Sequence, residues 1–164
     1  MVGQIEFIEF EKLYDEEINE KNWDKVKKIV IIASIVEKEA GLSYEKKVIA
    51  GIINKRLEKN IPIESCSTVE YALGYKKRRL TKSDLKIKSP YNTYTHKCLP
   101  PTPICNPGKD SIIAALNPVK TDYMFFLSKG DGTNHFSKTY KEHLEAIKIY
   151  LTDRNSSETG LENQ

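Results

Sequence analysis

Two glutamates near the end of a helical pattern are the first candidates for acid–base chemistry in this chain. Glu37 and Glu39 are two positions apart, so on a helix their side chains point about 200° apart and do not form a facing pair. Glu39 follows Ile35 by four positions and Val36 by three, and it extends an apolar stripe, whereas Glu37 lies on the more polar side with Ser34. Burial disfavours a charged carboxylate, so Glu39 is the better candidate for a general acid. The alternative is that both glutamates are surface residues at a helix end.

A segment that alternates aromatic and polar residues is the second candidate. Tyr91, Asn92, Thr93 and Tyr94 place two rings beside amide and hydroxyl groups, which suits the apolar faces and hydroxyl rims of sugar rings. A tyrosine-rich packed turn would show the same pattern. Residues 89–108 carry five of the seven prolines and almost no periodicity, which predicts a long loop of the kind that is usually functional in a compact domain. This stiff chain suits the wall of a groove better than a polyproline ligand for another domain.

A helical hairpin is predicted to position the glutamates. Apolar residues recur at three- and four-residue steps over residues 24–40, and Gly41 ends the pattern, so this stretch is predicted to be a helix. Ser43 is the predicted N-cap of a second helix that ends near Asn60. The connection is very short, so the two helices should pack against each other.

Shorter elements are predicted to follow the hairpin. Ser67 and Thr68 are candidate caps for a helix over residues 69–73, and Thr81 with Asp84 resembles a capping box for another short helix. Asp110 is the predicted cap of a helix over residues 110–116. The remaining predicted elements are strands at 123–128 and 135–136, joined by a turn at 129–132, and a last helix at 139–151.

Composition limits the kinds of protein this chain can be. A length of 164 residues fits one domain, and 39% hydrophobic with 30% charged residues are ordinary globular values. The formal charge of +3 is too small to make nucleic acid the expected partner, and it weakly suits an acidic cell-wall polymer. The most apolar stretch, residues 30–36, is far shorter than the roughly 20 residues of a membrane-spanning helix.

The cysteines and histidines predict neither a disulfide scaffold nor a metal site. Three cysteines form an odd set that cannot be paired fully within one chain. Free thiols are the simpler interpretation, although a bridge between Cys98 and Cys105 would span the proline-rich turn. The three histidines lack the spacing of zinc ligands.

Several motifs occur in the same order as in one known family. They are IASIVEKEA at 32–40, VIAGIINKRL at 48–57, TVEYALG at 68–74, YNTY at 91–94, LPPTPI at 99–104, NPG at 106–108 and HFS at 135–137, followed by Tyr140 and His143. Over about residues 29–150 the chain therefore resembles the MltG (YceG-like) family of peptidoglycan-cleaving lytic transglycosylases. The resemblance aligns the catalytic glutamate of the family with Glu39.

The resemblance implies an α+β fold with a lysozyme-like active-site helix, a helical hairpin and a small antiparallel sheet. We expect a single catalytic domain over residues 1–152, with a lead-in at 1–22, a core at about 24–151 and a disordered tail at 153–164. The implied activity is endolytic cleavage between N-acetylmuramic acid and N-acetylglucosamine in glycan strands, which leaves 1,6-anhydro ends and needs no cofactor. Glu39 would serve as acid and base. The residues predicted to bind substrate are Asn54, Arg56, Thr68, Tyr91, Asn92, Thr93 and Tyr94.

The implied partners are peptidoglycan glycan strands and the cell-wall synthesis machinery, with no nucleic acid. The resemblance also implies an extracytoplasmic location in which the full protein is held at the cell membrane. The anchor and a preceding LysM-like subdomain would then lie outside this chain.

The chain departs from the family pattern at two positions, and three other functions are compatible with its sequence. Cys66 stands where many members have aspartate, and Leu144 stands where they usually have asparagine. A lysozyme-type hydrolase would need a second carboxylate, for which Glu64, Glu70 or Asp84 is available. A non-catalytic glycan-binding or division-complex module is the second alternative, and a nucleic-acid module around the basic run 76–79 is the third.

Overall fold

The fold consists of a helical core with a two-stranded antiparallel sheet at one side. The computed structural model describes residues 20–77 and 79–158, and the side chains within 23–77 and 79–150. The elements are α1 Glu20–Glu39, α2 Ser43–Glu58, α3 Cys66–Leu73, a 3₁₀ turn Asp84–Lys86, α4 Lys109–Leu116, β1 Phe125–Ser128, β2 Asn134–Ser137 and α5 Tyr140–Glu158. This arrangement confirms the predicted α+β class and the small antiparallel sheet.

The core lies where α4 packs across the hairpin formed by α1 and α2. Its centre consists of fully buried aliphatic side chains such as Ile35, Ile49 and Ile53, which follow the predicted helical periodicity. Gly51 allows the chain after α4 to approach α2, because a Cβ atom at this position would lie 2.1 Å from the carbonyl oxygen of Val119. The packing therefore fixes α1 as a buried central helix whose carboxyl end reaches the surface.

The sheet is covered by α5. It also contacts α2, through Asn134 of β2 with Glu45 and through Phe125 of β1 with Arg56. β1 and β2 are antiparallel, and Phe126 pairs with Phe136 in their register. The helix α5 continues to Glu158, beyond the point at which a disordered tail was expected to begin. Of the predicted lead-in at 1–22, residues 1–19 lie outside the described residues, as does the end of the tail at 159–164, whereas residues 20–22 belong to α1.

Three of the predicted helix caps are wrong. The N-cap of α2 is Leu42, that of α3 is Ser65 and that of α4 is Gly108, and none of these makes a side-chain capping bond. Ser43 and Asp110 bind each other instead, with a Ser43 Oγ to Asp110 Oδ2 distance of 2.7 Å. Their side chains are diverted because the starts of α2 and α4 lie side by side.

The capping box before the 3₁₀ turn is confirmed. The Thr81 amide donates to Asp84 Oδ2 at 2.6 Å, and the Asp84 amide donates to Thr81 Oγ1 at 3.3 Å. The three cysteines are free. Within residues 20–77 and 79–158, no helix is both long enough and apolar enough to cross a bilayer.

Candidate active site

Glu39 is the last residue of α1, and its carboxyl group meets the first turn of α3. Glu39 Oε1 accepts hydrogen bonds from the hydroxyl groups of Ser65 at 2.5 Å and Ser67 at 2.8 Å, and from the Ser67 amide at 3.2 Å. Each hydrogen bond that the described residues make to this carboxyl group goes to Oε1. The other oxygen, Oε2, therefore remains available to a substrate.

The first turn of α3 can hold a carboxyl group because its amides have no partners within the helix. The positive end of the helix dipole also favours negative charge at this place. Ser65 is the N-cap, and the hydroxyl groups of Ser65 and Ser67 lie 2.8 Å apart. A hydroxyl group can both donate and accept, so this pair can remain bonded to Glu39 whether the carboxyl group is charged or protonated.

Thr68 and Thr93 hold the backbone of Ser65 in place. Thr68 Oγ1 donates to the Ser65 carbonyl at 2.7 Å, and the Ser65 amide donates to Thr93 Oγ1 at 3.1 Å. The two threonine hydroxyls are 2.8 Å apart. Thr68 is 0% exposed and Thr93 is 1% exposed, so the prediction that they contact substrate is replaced by a positioning role.

Asn92 is likewise a structural residue. It is fully buried, its amide donates to the carbonyls of Leu85 and Ile87, and its side-chain oxygen accepts from the Tyr94 amide. These bonds join the 3₁₀ turn to the long loop. Burial argues against the predicted contact between Asn92 and a sugar, because the side chain is already saturated with backbone partners.

Tyr91 and Tyr94 are the two residues of the YNTY motif that remain partly exposed. The Tyr94 hydroxyl lies 3.1 Å from Cys66 Sγ, next to the serine pair that holds Glu39. Burial, reinforced by the neighbouring thiol and by Glu39, raises the pKa of the Tyr94 hydroxyl, so this group stays protonated. The Tyr91 hydroxyl lies 2.7 Å from Thr102 Oγ1 in the proline-rich segment.

The carboxylate of Glu37, the second glutamate, is hydrogen-bonded to groups within the fold. Glu37 Oε2 accepts from the Gly108 amide at 3.2 Å and from Lys46 Nζ at 3.2 Å, and it also accepts from the Ser111 hydroxyl. The Ser111 hydroxyl makes the largest contribution to lowering the pKa of Glu37. Glu37 therefore caps α4 as a charged group, while Glu39 faces α3.

The family of the chain follows from comparison with known proteins. A family model described as the YceG-like family matches residues 4–149. The chain belongs to the YceG-like family. Glu39, the catalytic glutamate predicted from the sequence, carries the carboxyl group that the serine pair holds.

Relatives in the YceG-like family carry a named activity. An endolytic murein transglycosylase of Bacillus subtilis (strain 168) is 44% identical over 135 residues, which cover 82% of this chain and 38% of that protein. An endolytic murein transglycosylase of Streptococcus pneumoniae (strain R6) is 31% identical over 148 residues, covering 87% and 27%. The crystal structure of a yceG-like protein from Listeria monocytogenes matches with a TM-score of 0.70 and 44% identity, covering 74% of this chain and 40% of that one. The chain thus spans less than half the length of these relatives.

Asn54 and Arg56, the other predicted substrate residues, lie away from Glu39. Asn54 lines a cavity of about 400 Å³ near the start of α1, together with Lys25 and Lys28. Arg56 is 4% exposed and donates to the carbonyls of Met124, Pro62 and Ile63 and to the Glu64 carboxylate. The prediction of polar contact with substrate is therefore replaced, for Arg56, by a role in joining α2 to the chain around it.

Asn134 and Glu45 hold the end of α1 and were not predicted. Asn134 Nδ2 donates to the Glu39 carbonyl at 3.1 Å and to Glu45 Oε2 at 2.9 Å, and its amide donates to Glu45 Oε1. Glu45 is 1% exposed. No local pattern indicates this contact, since Asn134 and Glu39 are far apart in the chain.

Proposed function

We propose that this chain is the catalytic domain of an endolytic lytic transglycosylase that cleaves peptidoglycan glycan strands. The observation that carries the proposal is the Glu39 carboxyl group, which is fixed through Oε1 by Ser65 and Ser67 and leaves Oε2 for the reaction. A carboxyl group held in one orientation is what proton transfer at a glycosidic oxygen requires. The named activity of the YceG-like relatives supports the same reaction.

In the proposed reaction Glu39 acts first as an acid and then as a base. The proton on Oε2 moves to the glycosidic oxygen between N-acetylmuramic acid and N-acetylglucosamine as the bond from that oxygen to the anomeric carbon breaks. The 6-hydroxyl group of the muramyl residue then attacks the anomeric carbon and gives its proton to Glu39. The products are a 1,6-anhydro end and a free 4-hydroxyl group, and no water is consumed.

The carboxylates proposed for a hydrolase are bound to other groups. Glu64 pairs with Arg56 at 2.7 Å, Glu70 accepts from the Lys77 amide at 3.2 Å, and Asp84 pairs with Lys77 at 2.7 Å. The Lys77 ammonium group, followed by the Thr81 amide, lowers the pKa of Asp84 to about 2. These contacts favour a mechanism with one working carboxyl group over a mechanism with two.

Digestion of defined, un-crosslinked glycan strands tests the proposal. Mass spectrometry should find 1,6-anhydro ends with the wild type, whereas reducing ends would show a hydrolase. Glu39→Gln should fold and lose about 10²–10⁴-fold or more of the rate. Glu37→Gln is the matched control. It should lose much less of the cleavage rate than Glu39→Gln does, because Glu37 contacts α4.

Two results would reject this assignment. Normal cleavage by Glu39→Gln, with an inactive but folded Glu37→Gln, would transfer the catalytic role to the other glutamate. A folded wild type that binds strands without cutting them would make the domain a glycan-binding or division-complex module. Salt-dependent binding of DNA or RNA would instead support the nucleic-acid alternative.

We further propose that the whole protein works outside the cytoplasm, held at the cell membrane. Peptidoglycan would be its substrate and the cell-wall synthesis machinery its partner. Fractionation of cells that carry the full gene, with protease accessibility of the domain from outside, tests this location.

A further inference from the structure

We propose that Tyr71 and Tyr91 form an aromatic platform that binds one sugar ring of the glycan strand, about one helical turn along α3 from Ser67, which contacts Glu39. This platform rests on the proposed function and adds a binding subsite to it. It is distinct from the groups that hold the Glu39 carboxyl group, because the Tyr71 side chain packs on the Tyr91 ring, whereas Glu39 is held by the hydroxyl groups of Ser65 and Ser67.

The two rings are close together, and the Tyr71 ring is open to solvent while Tyr91 is partly buried. Their centroids are 4.7 Å apart and their planes are tilted by 48°. Tyr71 is 45% exposed although it lies on a short, well-packed helix. An exposed aromatic ring beside a fixed second ring presents apolar area together with a polar rim, which is the surface that a pyranose ring can cover.

Tyr91 is fixed before any ligand binds. Its hydroxyl group bonds to Thr102 Oγ1 at 2.7 Å, and its ring packs against the hydrophobic core. The prolines around Thr102 restrict the backbone of that segment. The platform therefore loses little side-chain entropy when a sugar binds, which favours affinity.

The position of Tyr71 on α3 places the platform along the path of a glycan strand that reaches Glu39. Ser67 and Tyr71 are four residues apart on the same helix, so their side chains lie on one face about 6 Å apart along the axis. Ser67 contacts Glu39. The scissile bond of a bound glycan lies at Glu39. If the neighbouring sugar residues follow this face of α3, they therefore cover the two rings.

Binding of a glycan strand should depend on the Tyr71 ring. The probe is a defined, un-crosslinked glycan strand, and binding is measured by calorimetry in the Glu39→Gln background so that cleavage does not interfere. Tyr71→Ala should weaken binding about tenfold, equivalent to about 1.4 kcal/mol, and Tyr71→Phe should bind nearly as well as tyrosine. Tyr75→Ala is the matched control, because Tyr75 is also exposed, at 56%, but does not pair with Tyr91.

Unchanged glycan binding by folded Tyr71→Ala would overturn the platform. An equal loss of binding with Tyr75→Ala would overturn it too, because it would indicate nonspecific binding to exposed aromatic residues. If Tyr71→Ala does not fold, Tyr71→Leu keeps apolar bulk without a ring face and decides in the same way. The wild-type digestion separates this test from the proposed function. Tyr71-dependent binding without cleavage would reject the enzyme and keep the platform, whereas cleavage with Tyr71-independent binding would reject the platform alone.

Discussion

At the scale of single residues, the two glutamates at the end of α1 differ in their surroundings because they face different helices. Glu37 meets the start of α4 and a lysine, so its charge is neutralised by permanent partners. Glu39 meets hydroxyl groups of Ser65 and Ser67 that can donate or accept. A group that must lose and regain a proton in each cycle is better served by the second environment.

The serine pair should therefore affect turnover more than binding. Ser65→Ala is expected to lower kcat about tenfold, and the double change with Ser67→Ala about 10²-fold, because a loosened carboxyl group is misplaced relative to the glycosidic oxygen. KM should change little, and Ser65→Thr should restore the rate because it restores the hydroxyl group. Initial rates of anhydro-end formation measure these effects.

Ser83→Ala is the control for the serine pair, because Ser83 is exposed and bonds to Thr81 away from Glu39. A threonine variant that folds and is as slow as the alanine variant would show that packing, and not the hydroxyl group, matters at position 65. In that case Ser65 would have no positioning role.

Cys66 should tolerate replacement by serine. Desolvation by the surrounding protein, together with the charges of Glu39 and Glu70, raises the pKa of the Cys66 thiol, so the thiol is neutral at neutral pH and supplies no negative charge. Cys66→Ser keeps a small polar group beside the Tyr94 hydroxyl and should retain most of the cleavage activity. An inactive wild type that gains cleavage with Cys66→Asp would contradict this and show that an acidic group is required here.

At the scale of elements, Glu37 joins the end of α1 to the start of α4. Its lowered pKa, caused first by the Ser111 hydroxyl, means that the folded state favours the charged form. This contribution to stability is complete above the ordinary pKa of 4.5 and is lost as the pH falls through the lower pKa of the folded state.

Glu37→Gln should accordingly lower the free energy of unfolding at pH 7 by about 1 kcal/mol, since it weakens charge-assisted hydrogen bonds. The difference from wild type should shrink as the pH falls below about 4.5, where the wild-type carboxylate also becomes protonated. Urea unfolding at several pH values measures this. A difference that stays constant down to the acid limit would show that the charge of Glu37 does not stabilise the fold.

At the scale of the whole molecule, Arg56 links the helical core to the sheet. It lies 4.8 Å from the centroid of the Phe125 ring in β1, and it donates to carbonyls that precede α3 and β1. Arg56→Met leaves these acceptors without a donor and should cost roughly 3 kcal/mol in the free energy of unfolding. Lys59→Met, at an exposed position of the same chain segment, should cost much less.

Urea unfolding and glycan binding of Arg56→Met distinguish its two interpretations. A loss of stability, with normal binding by the fraction that remains folded, supports the structural role. Wild-type stability with weakened binding would return Arg56 to the substrate-contacting role that the sequence first predicted.

The sequence by itself determined the main local elements, and it predicted Glu39 as the catalytic glutamate. Apolar periodicity is a property of neighbouring residues, so it predicted α1 and α2 closely. The apolar setting expected for Glu39 is replaced in the structure by the hydroxyl groups of Ser65 and Ser67. The helix caps were less predictable because Ser43 and Asp110 have each other as competing partners. Which partner a short polar side chain binds depends on what lies beside it in space.

Only the tertiary structure decided which polar side chains are buried and which stay partly exposed. Asn92, Thr93 and Arg56 have side chains suited to sugars, but the fold buries them and saturates them with backbone partners. The contact of Glu39 with Ser65 and Ser67 joins residues that are 26 and 28 positions apart. Such contacts follow from how α1 and α3 pack, and residue type alone carries no information about the direction in which a packed side chain points.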